Sequence, residues 1–146
     1  MNGKIDLLVG QRKLVMIWLI GSAPVILLML IRTLGPNATD IEKVWSWLLP
    51  SVMPTLSLVV GTYAASALKE ADAPRTVDAV FFRIAVALSV AYLLILSVAI
   101  AAYPLTATPA APALRTLERV GLILGPVQGL VSGCLGVFFV SQKPGR

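Results

Sequence analysis

The sequence predicts an all-α polytopic membrane protein, a bundle of four transmembrane helices forming a single domain over residues 1–146. Three observations predict it. Hydrophobic residues make up 58% of the 146 residues while charged residues make up only 13%, against roughly 25% charged in a soluble domain. The mean hydropathy is +0.88. The apolar residues are gathered into four long runs joined by short polar connections, with no stretch left for a soluble domain.

The first run spans about 14–34. It follows a short tail carrying Lys4, Arg12 and Lys13 and stays uncharged from Leu14 to Ile31. A basic start before an apolar run also describes a secretory leader, and Gly21-Ser22-Ala23 supplies small residues. Pro24 follows them directly and the run continues, so the length is that of a membrane span, bent at Pro24. Gly35-Pro36-Asn37 reads as a turn, and Asp40, Glu42 and Lys43 as a short charged hinge. The second span covers 44–68. Trp45 and Trp47 mark its start as interfacial tryptophans do, and Pro50 and Pro54 are expected to weaken or unwind its first half.

A polar connection leads to Thr76, read as the cap of the third span, with Asp78 in its first turn. That span runs over 79–103 and ends at Pro104. A Pro/Ala/Thr stretch then leads to Pro112, placed to open the last span over 114–140. The four spans do not resemble one another enough to mark an internal repeat.

The charges set an expected orientation. Lys4, Arg12, Lys13, Lys69, Arg75, Arg83, Lys143 and Arg146 fall on one side, and Arg32, Lys43, Arg115 and Arg119 on the other. The excess of basic residues belongs inside, which puts both termini in the cytoplasm, in this case of a bacterial inner membrane. Trp45, Trp47 and Tyr103 then share the outer interface. The net charge of +5 is spent on these flanks, so no nucleic-acid partner is implied.

The chain has no histidine and one cysteine, Cys134, inside the last run. Histidine-ligated haem, a metal site and histidine acid–base chemistry are therefore not expected, and neither is a cofactor. No nucleophile stands beside a base, and no carboxylate or cation lies deep in a span, as ion-coupled transport usually requires. The expectation is a protein that is not an enzyme. Arg115, Glu118 and Arg119 cluster before the last run, where charged helix ends are ordinary.

Three patterns carry the functional reading. Gly121, Gly125, Gly129 and Gly133 recur every four residues on one helix face, with Ser132 and Gly136 beside them. Such a strip lets another helix backbone approach, either within the subunit or as the interface of a homo-oligomer. Ser51, Thr55, Thr62 and Ser66 fall within about 60° of each other on the second helix, and Lys69 extends them to its end. They read as the wall of a hydrated path, or as hydroxyls bonded back to their own helix. Gln128, mid-span behind Gly125-Pro126, wants a partner on another helix or water.

Together these suggest a homo-oligomeric channel or pore in the lipid bilayer, acting as a membrane-permeabilising effector with a protein partner that gates or recruits it. The alternative is a non-catalytic structural or anchoring subunit of a larger membrane complex. The pore-lining candidates are Ser51, Thr55, Thr62, Ser66, Lys69 and Gln128.

Overall fold

Asp6 and Asp78 set the two starts of the fold. They sit at nearly the same backbone angles, φ/ψ of −58°/128° and −60°/128°. Each turns its carboxylate forward to accept a backbone N–H two residues on, from Leu8 at 2.9 Å and from Val80 at 2.7 Å. This satisfies a donor that the first helical turn leaves without an intrahelical partner. Just before each aspartate the chain is extended, and these two extended pieces pair with each other.

In the computed structural model, which describes residues 4–35, 41–68, 76–103 and 113–140, the elements are β1 (Lys4–Asp6), α1 (Leu7–Thr33), α2 (Ile41–Leu68), β2 (Thr76–Asp78), α3 (Ala79–Ala102) and α4 (Ala113–Val140). The strands pair antiparallel with Lys4 opposite Asp78, Ile5 opposite Val77 and Asp6 opposite Thr76. All four helices are long and apolar enough to cross a membrane. At 1.5 Å per residue, the 27 residues of α1 measure about 40 Å, more than the roughly 30 Å of bilayer hydrocarbon. The all-α four-helix bundle is the fold of the chain, with one short ribbon added.

The ends differ from the sequence expectation in instructive ways. The first helix begins at Leu7, not at residue 14, because Asp6 caps it and its first turns already bury Leu7, Gly10 and Gln11. Arg12 and Lys13 point outward and do not interrupt it. Thr76 is not the cap of the third helix. It belongs to β2, and Asp78 takes the capping role. Glu42 lies in the first turn of α2 rather than in a hinge. The third helix stops at Ala102 and the fourth opens at Ala113, each one residue from expectation. Pro24, Pro50, Pro54 and Pro126 all lie inside helices that run on through them. The turn at Pro36-Asn37 and the connections carrying Lys69, Arg75 and Pro104 lie outside the described residues.

The packing is a four-cornered ring. α1 packs on α2 and α3, and α4 packs on α2 and α3. Trp45 on α2 donates its indole N–H to Thr33 at the end of α1 (2.9 Å), so α2 turns back along α1. α3 runs parallel to α1, with Trp18 meeting Ser89 and Gly21 meeting Leu93. α2 and α4 are also parallel, with Pro50 meeting Gln128 and Thr55 meeting Ser132.

The order of the elements has a period that the sequences of the spans do not show. The second half of the chain repeats the strand–helix–helix order of the first. The repeat is seventy-two residues: Asp78 follows Asp6, Ala79 follows Leu7, Ala113 follows Ile41 and Val140 follows Leu68 at that interval. Pro126 and Gly133 stand at the places of Pro54 and Gly61. The period lies in the order and length of the elements, and the apolar residues between matching positions mostly differ.

The middle of the ring is filled. Trp18 and Tyr92 are both fully buried, their ring centroids 5.8 Å apart and tilted by 34°. Leu14, Met29, Leu48, Leu96, Ile100, Leu124 and Leu135 complete the buried cluster. Where lipid is the solvent, apolar contact with a neighbouring helix replaces apolar contact with lipid, so packing density rather than water exclusion decides stability. Removing Trp18 would leave the largest hole. Trp18→Ala is expected to cost about 3 kcal/mol or more, and Leu122→Ala on the exposed face of α4 under about 0.5 kcal/mol. Reversible unfolding in mixed micelles measures both.

Candidate functional site

A helix in hydrocarbon must satisfy its own backbone, so each proline inside one creates a problem that another residue has to solve. Pro54 has no N–H. The carbonyl that this N–H would have served, four residues back, is that of Pro50. Gln128 reaches across from α4 and donates its side-chain Nε2 to the Pro50 oxygen at 3.2 Å. The mid-span amide has found a partner on another helix, and that partner is a carbonyl orphaned by proline.

The hydroxyl stripe is disposed of in a similar way. Ser51 donates to the Trp47 carbonyl at 2.8 Å and Ser66 to the Thr62 carbonyl at 2.9 Å, while Thr62 donates to the Leu58 carbonyl. These are bonds back to the preceding turn, the local alternative that hydroxyls take in apolar surroundings. Thr55 is fully buried and shares a hydrogen bond with Ser132 of α4 at 3.3 Å. The sequence stripe therefore divides. Thr55 and Gln128 join α2 to α4, and Ser51, Thr62 and Ser66 serve their own helix. Lys69 lies outside the described residues.

Several interior polar groups were not singled out from the sequence. Trp18 donates its indole N–H to Ser89 at 3.2 Å, and Ser22 donates to the Trp18 carbonyl at 2.6 Å. Tyr92 donates its hydroxyl to the Ser51 carbonyl at 2.6 Å, reaching from α3 to α2 at the opposite corner of the ring. The signal for Tyr92 was its depth, since aromatic residues with a polar handle favour the interface and this one stands mid-span. Trp18, about one turn into a span read from residue 14, gave no such signal until the helix was seen to begin at Leu7.

Gln11 is also fully buried, and neither its Oε1 nor its Nε2 has a hydrogen-bond partner. It fell in the tail assigned to residues 1–13, which hid it. At the far end of the ring, Arg32 donates to the Ile100 carbonyl at 3.2 Å, covering one of the last acceptors of α3.

The glycine strip also divides. A Cβ built on Gly121 would stand 3.0 Å from the indole nitrogen of Trp47, so that glycine packs inside the subunit. A Cβ on Gly125, Gly129, Gly133 or Gly136 would meet nothing within 4 Å. Three of these, Gly125, Gly129 and Gly133, are exposed. Only 17% of the most apolar window of α4 is buried, against 39% for α3, making it the least covered helix. Cys134, half-buried among them, is free.

Comparison with known protein families, curated proteins and solved structures found no match. The class that the fold defines is a four-span helical membrane protein, in which Thr55 and Gln128 join α2 to α4 and, among the described residues, nothing lies within 4 Å of a Cβ built on Gly125, Gly129, Gly133 or Gly136 of α4.

Two amides of the same type should respond oppositely to removal. Gln128→Leu strands the Pro50 carbonyl and is expected to lower stability by about 1–2 kcal/mol. In a Pro54→Ala background the helix regains its own N–H for that carbonyl, and the same substitution should cost about half as much or less. Gln11→Leu removes an unpaired buried amide and is expected to leave stability unchanged or raise it. A thermodynamic cycle over the Gln128 and Pro54 variants, with Gln11→Leu alongside, reads all three.

Proposed function

We propose that this protein is a non-catalytic membrane subunit that assembles with copies of itself through the open face of α4. The observation that carries the reading is the empty space beside Gly125, Gly129, Gly133 and Gly136. A glycine facing lipid forfeits side-chain contact and weakens its helix by about 1 kcal/mol relative to alanine. The compensation available in a bilayer is another backbone packed close against the strip, which small residues in register permit. A second copy of α4 is complementary to itself, and a symmetric pairing of one patch with its twin is the commonest way that oligomers close.

The role that this supports is structural: holding or anchoring an assembly in the membrane, together with whatever partner recruits it. A path along the second helix has less support than the sequence suggested, since Ser51, Thr55, Thr62, Ser66 and Gln128 all have partners within the chain. If the assembly conducts, the path runs between subunits. The basic flanks favour both termini in the cytoplasm, in our reading that of a bacterial inner membrane, and reporter fusions at each terminus should give the same cytoplasmic signal.

Gly129→Leu places a branched side chain where a neighbour's backbone must come. It is expected to shift the assembly to single subunits while leaving the subunit's own melting temperature within about 2 °C, because among the described residues none of another helix lies within 4 Å of a Cβ there. Gly121→Leu is expected to destabilise the subunit itself through Trp47. Native mass spectrometry from nanodiscs gives the subunit number, and an unchanged number for Gly129→Leu would sink the proposal. Dye or ion flux from liposomes, abolished by the same substitution, would replace the structural role with a pore between subunits.

A further inference from the structure

Two hollows open on the outside of the bundle along the seam of α1 and α3, and they share Met16 and Ile17. The one nearer the β ribbon, about 660 Å³, has Phe82 and Val86 on one wall and Arg12 and Lys13 on the other. The second, about 360 Å³, continues from Met16 and Ile17 past Gly21 and Leu93 to Ser97. Gly21 keeps the seam concave. A Cβ there would stand 2.6 Å from Leu93 Cδ1.

The seam is a single apolar slot with two cations at one end. Arg12 and Lys13 are both exposed, and no ion pair ties either to a carboxylate among the described residues. From Phe82 to Ser97 the slot follows fifteen residues of α3, about 22 Å at 1.5 Å per residue. One leaflet contributes about 15 Å of hydrocarbon depth, half of the roughly 30 Å core. The slot is thus elongated along the axes of α1 and α3, and its length passes the depth of one leaflet. A compact solute would leave most of it empty. Its charged end lies on the second turn of α1, where basic side chains reach the headgroup layer.

We propose that this seam binds one anionic phospholipid from the leaflet on the ribbon side. The headgroup phosphate sits on Arg12 and Lys13, and one acyl chain lies along Met16, Ile17, Gly21 and Leu93. A lipid on a convex helix ridge would have neither a wall nor a charge to hold it. This one is held by shape and by two charges together. The site rests on the membrane-spanning fold and is independent of the glycine-face assembly, which lies on another helix.

The test is native mass spectrometry of the purified protein in a neutral detergent with added phosphatidylglycerol, phosphatidylcholine or inorganic phosphate. One phosphatidylglycerol per chain should be retained, about tenfold or more above phosphatidylcholine. The double variant Arg12→Gln/Lys13→Gln should lose that preference, since each basic residue strengthens attraction to anionic lipid severalfold. Arg83→Gln should keep it, because Arg83 is exposed near the same end but does not line the slot. Val90→Trp, filling the slot, should reduce retention of both lipids. Arg12, Lys13 and Arg83 are exposed, so their variants report on binding even if Val90→Trp fails to fold. Equal retention of the two lipids, or an unchanged preference in the double variant, would overturn the proposal. Displacement of the lipid by millimolar inorganic phosphate would reduce the site to a plain anion contact and overturn it as well.

Discussion

Hydrocarbon offers no hydrogen bond, and the organisation of this protein follows from that lack. Every carbonyl and N–H of α1 to α4 needs a partner supplied by the chain. Pro54 breaks the rule locally, and the mid-span amide of Gln128 restores it from another helix. The serines and threonines of α2 obey the same rule from the other direction. Having no water to bond to, Ser51, Thr62 and Ser66 turn to the carbonyls of their own preceding turn. The row of hydroxyls that reads as a hydrated wall also makes these internal bonds in the folded chain.

The same solvent also changes what packing means. With lipid outside and apolar side chains inside, the distinction between core and surface is one of contact density. Trp18 and Tyr92 supply that density at the centre, and each also spends its polar atom on a partner: Ser89 for the indole, the Ser51 carbonyl for the phenol. Gly21 and Gly121 show the opposite use of size, drawing Leu93 and Trp47 close. Gly125, Gly129, Gly133 and Gly136 of α4 have no such neighbour within 4 Å. Gln11 is the exception to satisfaction, a buried amide without a partner, placed where α1 begins earlier than its hydropathy suggests.

The two halves of the chain are built on one plan, yet almost no residue is shared between them. What is kept is punctuation: an aspartate to start the first helix of each half, a proline and a glycine at matching places in the second. Apolar residues in a lipid-facing helix exchange freely, since Leu, Ile, Val and Ala face hydrocarbon almost equally well. The shared cap and the one shared proline have defined backbone tasks, whereas Pro24 and Pro50 have Leu96 and Leu122 at the matching places. Similarity is therefore concentrated in too few positions for inspection of the spans to find it. The three-residue strands are invisible for a related reason: their pairing joins segments far apart in sequence, and each alternates polar and apolar over only three residues, too few to mark a strand.

Composition and hydropathy by themselves determined that the chain forms four membrane-length helices, because the free energy of leaving water depends on how many apolar residues are consecutive, not on what they later touch. They also located Gln128 and the prolines as positions in need of partners. Which partner each one took was decided only by tertiary structure. The glycine spacing defined a face, but whether Gly121 meets Trp47 while Gly129 meets nothing depends on how α2 lies against α4. The alternatives for the hydroxyl stripe, hydrated path or internal bonds, have the same sequence and the same helical register. They separate only when the distance to a carbonyl or to a neighbouring helix is known, and such distances are set by the packing of four helices at once.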